Sequence, residues 1–222
     1  MFIVISGNIG SGKTTLSKKL SEFLGWECYL EPVQQNPYLA DFYKDMPRWS
    51  FPLQIYFLSH RFHTHRNIEE STNSGIQDRS IYEDAYVFAR ALFEQGDMSE
   101  RDYENYLMLF HSMIEFLSVP SLVIYLDRSL PNLQERIRMR GREFERTISL
   151  DYLTRLNHYY LEWFHNYTLG PSLKVDTNDL DLLHNQTHFL DLVEKIKNII
   201  TKQQIRSPGN QKNLERPTLS YP

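Results

Sequence analysis

The stretch that decides the fold is "FIVISGNIGSGKTTLSKKLSEFLG", residues 2–25. "FIVIS" (2–6) is a short apolar run ahead of a glycine, the pattern of a buried strand. Behind it Leu16, Leu20 and Leu24 recur every four residues, and Gly25 suits the cap that ends a helix. Between the two lies "GNIGSGKT", Gly7 to Thr14, which fits G-x-x-x-x-G-K-[ST] in full. A strand before and a helix after are the context that gives this pattern meaning. The glycines let the backbone bend so that its N–H groups point inward, and the helix N-terminus adds positive potential. Gly7, Asn8, Ile9, Gly10, Ser11, Gly12, Lys13, Thr14 and Thr15 are therefore expected to cradle the phosphates of a nucleoside triphosphate. Lys13 is expected to reach the outer phosphates and Thr14 to bind Mg²⁺. The loop leaves open what receives the phosphoryl group.

The same alternation continues along the chain. "CYLE" (28–31), "IQD" (76–78), "SLVIYLD" (121–127) and "LKVD" (173–176) read as four further strands. Helical patterns separate them. "NPYLADFY" places Asn36 at a cap and Pro37 at the first helical position. "WSFPLQIYFLSHRFHTHRNIEE" reads as a long helix with Pro52 in its first turn. "SIYEDAYVFARALF" opens on Ser80 and Glu83, a capping-box pair. "RDYENYLMLFHSMIEFL" follows, and helices lie between the last two strands and after the fifth. Strands alternating with helices argue an α/β fold with a parallel sheet. In such sheets ligands gather at the carboxyl ends of the strands.

Composition narrows the class. The chain has 222 residues, 41% apolar, with a formal net charge of -4. That suits one domain, read as residues 1–205, with a core of useful size. "RSPGNQKNLERPTLSYP" (206–222) is rich in proline and poor in apolar residues and reads as a disordered tail. No apolar run is long enough to span a membrane. "MFIVIS" is too short for a signal peptide, and Cys28 is the only cysteine. An intracellular, cytoplasmic protein without a membrane anchor is expected. "RIRMRGREFER" (136–146) holds five arginines on an acidic chain, which favours a small polyanion over a nucleic-acid duplex. Arg136 and Arg140 are one helical turn apart, and Gly141 breaks the helix before Arg142.

Several polar residues fall where a ligand is expected. Glu31 ends the second predicted strand ahead of Pro32, and a hydroxyl acceptor gains from a nearby base. Asp78 and Arg79 end the third. An aspartate there suits Mg²⁺, and an arginine there suits charge on a transferring group. Gln54, Leu58 and Arg61 share one helical face otherwise flanked by apolar residues, and Asp84 is placed to pair with Arg61. An amide such as Gln54 both donates to and accepts from a base edge. His60, His63 and His65 lack a cysteine or carboxylate cluster that would complete a metal site.

"GNIGSGKTT", "LEPVQQNPY", "FYKDMPRWSFPLQIYFL", "QDRSIYEDAYVFA" and "RIRMRGREFE" occur in the order found in the deoxyribonucleoside kinases. The chain resembles that family over about residues 1–203, closest to its bacterial deoxyadenosine/deoxyguanosine kinase branch. The loop is generic; the joint occurrence of the other four segments is specific. The resemblance implies a P-loop kinase fold with a five-stranded parallel sheet, and transfer of the γ-phosphoryl of ATP to the 5′-hydroxyl of a deoxyribonucleoside. It implies that Glu31 is the general base, with Arg79 beside it and Lys13 at the phosphates. Asp78 becomes the metal-associated acid with Thr14. Gln54, Arg61 and Asp84 become the base-reading set, with Phe88 against the base. Tyr43 and Glu145 become the pair on the sugar 3′-hydroxyl, and Arg136, Arg140 and Arg142 a lid over the phosphates. Such kinases are usually homodimers. Purines are favoured, deoxyadenosine slightly ahead of deoxyguanosine, with deoxycytidine still open. Two departures are visible. Many relatives have Glu where Asp78 stands, and animal relatives carry an aromatic near Asn36.

Two other functions fit the loop. A nucleoside monophosphate kinase of thymidylate-kinase type shares the loop and an Asp-Arg step, but a second phosphate would be repelled by Glu31. A nucleotide-binding regulatory protein would need switch segments, and none is visible.

Overall fold

The computed structural model describes residues 1–206, so the expected tail lies outside the described residues except for Arg206, the last residue of the final helix. In chain order the elements are β1 (Phe2–Gly7), α1 (Lys13–Leu24), β2 (Glu27–Tyr29), α2 (Leu39–Phe42), α3 (Met46–Glu70), β3 (Gly75–Asp78) and α4 (Ile81–Glu83). A π-helical stretch, Asp84–Ala89, carries α4 directly into α5 (Arg90–Gln95). Then come α6 (Glu100–Ile114), β4 (Leu122–Asp127), α7 (Leu130–Arg140), α8 (Leu150–His165), β5 (Ser172–Asp176) and α9 (Gln186–Arg206).

All five strands pair in parallel, in the order β2-β3-β1-β4-β5. β1 lies at the centre and is buried throughout, which is why it reads as an unbroken apolar run rather than an alternating one. Ile3 and Ile5 join Leu16, Leu20 and Phe189 on the side of α1 and α9. Phe2 and Val4 join Leu58, Tyr106, Tyr125 and Tyr160 on the other side, that of α3, α6 and α8. The α/β architecture expected from sequence is therefore observed, and the carboxyl ends of the strands form one rim on which the loops converge.

Three local expectations are corrected. β2 ends at Tyr29, so Glu31 stands two residues beyond the strand rather than at its end. The first helix after β2 spans only Leu39–Phe42, and Asn36 instead caps a 3₁₀ turn (Val33–Gln35), its Oδ1 accepting from Tyr38 N at 2.9 Å. The long helix starts earlier than Trp49. Asp45 is its N-cap, accepting from Arg48 N at 3.2 Å, and Pro47 sits in the first turn. Pro52 is consequently inside the helix, where it has no N–H to give to the turn before it. The capping box is as expected: Ser80 Oγ accepts from Glu83 N, and Glu83 accepts from Ser80 N. No helix among the described residues is long and apolar enough to cross a membrane.

Candidate active site

The phosphate loop closes on itself. Gly10 and Gly12 have φ of 86° and 101°, and Ser11 N donates to Asn8 O at 3.1 Å. Gly10 also lies hard against α7: a Cβ there would meet Leu133 O at 2.9 Å and Ile137 at 3.0 Å. Asn8 is buried, accepts from Ile9 N and donates to Leu153 O of α8 at 3.1 Å. Lys13 Nζ donates to Asn8 O at 3.0 Å. Burial, followed by the neighbouring Arg79, lowers the Lys13 ammonium to about 8.

A cavity of about 380 Å³ opens beside this loop. Ile9, Gly10, Lys13 and Thr14 form its floor, and Glu31, Tyr43, Gln54, Asp78, Arg79, Phe88, Arg140, Arg142 and Glu145 also line it. Nearly every expected acceptor-side residue therefore meets in one place. Arg61 and Asp84 are the exceptions and are not part of the wall. Both are buried and joined at 3.1 Å through Arg61 Nε and Asp84 Oδ2, the pairing expected from sequence. Arg61 also donates to Glu31 Oε1 at 2.8 Å and to Asp78 O at 2.9 Å.

Glu31 is the electrostatic centre. Burial alone would push its carboxyl up, but Arg79, at 3.3 Å, and Arg61 bring it down to about 2. Burial pushes the Asp84 carboxyl up to about 6. Arg61 pulls back only part of that, because its guanidinium is shared with Glu31 and two carbonyls. Gln54 Oε1 is buried without a partner. The Arg79 guanidinium lies 4.3 Å from the Phe88 ring centre.

The arginine-rich segment frames the mouth. α7 stops at Gly141, whose φ of 68° is the left-handed cap the sequence pointed to. Glu145 is buried and takes Arg140 at 2.9 and 2.5 Å through one oxygen and Arg142 at 3.1 Å through the other. Tyr43 stacks on Phe144, ring centres 6.1 Å apart. Arg136 does not line this cavity; together with Arg140 and Arg142 it lines a second opening at the loop, with Gly12, Thr14, Thr15, Arg128, Asn178 and His184. Sequence reading missed Arg128 and Asn178. Both follow the carboxyl ends of strands, β4 and β5, so the sheet rule was the signal that pointed to them.

Thr14 Oγ1 lies 2.5 Å from Asp78 Oδ2, and Asp78 Oδ1 is buried without a partner. A hydroxyl and a carboxylate side by side fit Mg²⁺, which takes oxygen ligands and usually binds through one or two protein groups together with phosphates. The three histidines diverge. His65 is buried against Ser118 O at 2.9 Å, His60 is half-buried and His63 exposed. Among the described residues no group of three or more His, Cys, Asp or Glu forms a metal-ligand set.

A triphosphate cradle that opens onto an enclosed carboxylate, on a parallel sheet of this strand order, defines a phosphotransferase of the P-loop kinase fold. The sequence profile of the deoxynucleoside kinases matches residues 3–201. The chain belongs to the deoxynucleoside kinase family, and is an ATP-dependent kinase of deoxynucleosides. It is 40% identical over 204 residues to the deoxyadenosine/deoxycytidine kinase of Bacillus subtilis, covering 91% of this chain and 94% of that one. It is 34% identical to the deoxyadenosine kinase of Lactobacillus acidophilus, covering 94% of this chain and 98% of that one. Among solved structures, the deoxyadenosine kinase of M. mycoides with the products dCMP and a flexible dCDP superimposes with a TM-score of 0.80. That match has 32% identity and covers 89% of this chain and all of the other.

Proposed function

We propose that the protein phosphorylates the 5′-hydroxyl of purine deoxyribonucleosides, deoxyadenosine ahead of deoxyguanosine, with deoxycytidine as a further acceptor. The observation that carries this reading is the state of Glu31, a carboxylate held ionised at the cavity wall by Arg61 and Arg79. A hydroxyl acceptor uses such a group as base; a phosphate acceptor would meet repulsion there. Relatives named for deoxyadenosine and for deoxycytidine support the choice of bases.

In this reading Glu31 takes the 5′-hydroxyl proton as the oxygen attacks the γ-phosphorus and the bond to the β,γ-bridging oxygen breaks, releasing ADP. Arg79 and Lys13 hold the charge that builds on the transferring group. Gln54 reads the base edge beside Phe88, and the buried Arg61–Asp84 pair, which does not line the cavity, acts on the site through Glu31. Tyr43 and Glu145 take the sugar 3′-hydroxyl. Arg136, Arg140 and Arg142 form a lid over the phosphates of ATP, hinged at Gly141, that excludes water. Thr14 and Asp78 would hold a Mg²⁺ ion that arrives with ATP, and the ion would neutralise charge at the phosphates.

We assign the working unit as a homodimer in the cytoplasm. Met108 and Leu109 of α6 and Phe116 just past its end are exposed, which suits a helix-to-helix interface. Steady-state assays with ATP against the four deoxynucleosides and their monophosphates test the reaction. Turnover confined to monophosphates overturns the proposal, and a preference for thymidine overturns the base assignment.

A further inference from the structure

We propose that Glu83 is a positioning residue for Arg79, anchoring the outer edge of its guanidinium while the inner edge works in the cavity. The inference rests on the reading that Arg79 acts at the transferred phosphoryl group.

Glu83 is a capping-box residue, and such residues ordinarily sit at a wet helix end. Here it is fully buried. Its two oxygens face different tasks. Oε1 does the capping, accepting from Ser80 N at 2.8 Å and from Ser80 Oγ at 3.2 Å. Oε2 is turned the other way, accepts from the Tyr160 hydroxyl at 2.8 Å and lies 3.9 Å from Arg79 Nε. The capping bond needs only an acceptor oxygen, not a charge. Burying a carboxylate costs several kcal/mol unless a cation repays it. Glutamine would cap equally well. The cap therefore does not account for a charge at this position; the arginine does.

Arg79 has need of an anchor. It is the only non-glycine described residue with positive φ, at 72°, a conformation that strains any residue bearing a Cβ. Its Nη1 faces Glu31 at 3.3 Å, its plane lies on Phe88, and its Nε is buried without a hydrogen-bond partner. Among the described residues, Glu31 and Glu83 are the carboxylates within 4 Å of it. Glu31 is the one a substrate hydroxyl engages. Glu83, pinned by Ser80 and Tyr160, stays in place while that happens. Tyr160 belongs to α8, which also receives Asn8 of the phosphate loop at Leu153 O. One helix thus carries the support for both the loop and Arg79.

The test compares Glu83→Gln, Arg79→Lys and the double variant, reading kcat, both KM values and Tm. Expected is a roughly tenfold loss of kcat in Glu83→Gln, with deoxynucleoside KM close to the parent and a lowered Tm, since a buried arginine loses one of its two carboxylates. The double variant should be no slower than Arg79→Lys alone, because Glu83 acts through Arg79. If Arg79→Lys is impaired while Glu83→Gln keeps kcat within about twofold, or if the two losses multiply in full, the inference is overturned. If Arg79→Lys itself keeps full kcat, the role of Arg79 fails and this inference with it. Should Glu83→Gln not fold, Tyr160→Phe frees Oε2 without changing any charge. A fall in kcat that vanishes in the Arg79→Lys background supports the inference, and an unchanged kcat overturns it.

Discussion

Arg140 and Glu145 stand on opposite sides of Gly141 and are joined by two hydrogen bonds, at 2.9 and 2.5 Å, onto one carboxylate oxygen. A segment that met only phosphates would have no use for a buried acid. Glu145 ties the arginines to the acceptor side, next to Tyr43. Glu145→Ala should raise the deoxynucleoside KM by about tenfold or more and shift the ATP KM far less, since Arg140 and Arg142 remain partly exposed and able to meet phosphate. Equal shifts in both would mean that the acid only anchors the arginines.

Glu31→Gln should lower kcat by roughly 10²–10⁴ with a modest change in deoxynucleoside KM. It also removes a negative partner shared by two buried arginines, so Tm should fall; breaking such a pair costs up to about 3–5 kcal/mol. Because the folded carboxyl is held near 2, against 4.5 when free, its contribution to stability is complete above about 4.5. It disappears as pH falls through about 2. A parent-like kcat in the variant would exclude Glu31 as base.

Asp84 gives the opposite dependence. Its carboxyl is near 6 when folded and 3.8 when free. Between those values the folded protein keeps a proton that the unfolded chain has released, so this group's contribution to stability declines as pH rises from about 4 to 6. Deoxynucleoside kcat/KM should in turn fall as pH drops through about 6, because the protonated acid no longer pairs fully with Arg61. Asp84→Asn should flatten both profiles. A parent profile with the same inflection in Asp84→Asn would assign it to another group.

Asp78→Asn leaves an oxygen beside Thr14 but removes the charge. The free Mg²⁺ needed for half-maximal rate at fixed ATP should rise by about tenfold, with little change in the deoxynucleoside KM. An unchanged Mg²⁺ dependence would place the ion on the phosphates alone.

The sheet and the loop were legible because each rests on local pattern. A buried central strand reads as "FIVIS", and a strand-loop-helix context gives "GNIGSGKT" one meaning. The Arg61–Asp84 pair was legible from helical spacing and from the cost of an unpaired buried charge. What sequence missed was set by tertiary contacts. β2 stops at Tyr29, paired with Gln77, although β3 itself runs on to Asp78, and apolar content after Cys28 does not reveal that end. The start of α3 was carried by Asp45 and Pro47, a cap signal overshadowed by the apolar run behind it. The left-handed backbone of Arg79 and the second face of Glu83 have no local signature. They arise where β3, α4 and α8 meet.

The close packing of Gly10 on Ile137 has a mechanical consequence. With no room for a methyl group between them, the bend of the loop and the seat of α7 are fixed against each other, so Gly10→Ala would have to push back the helix that carries Arg136 and Arg140.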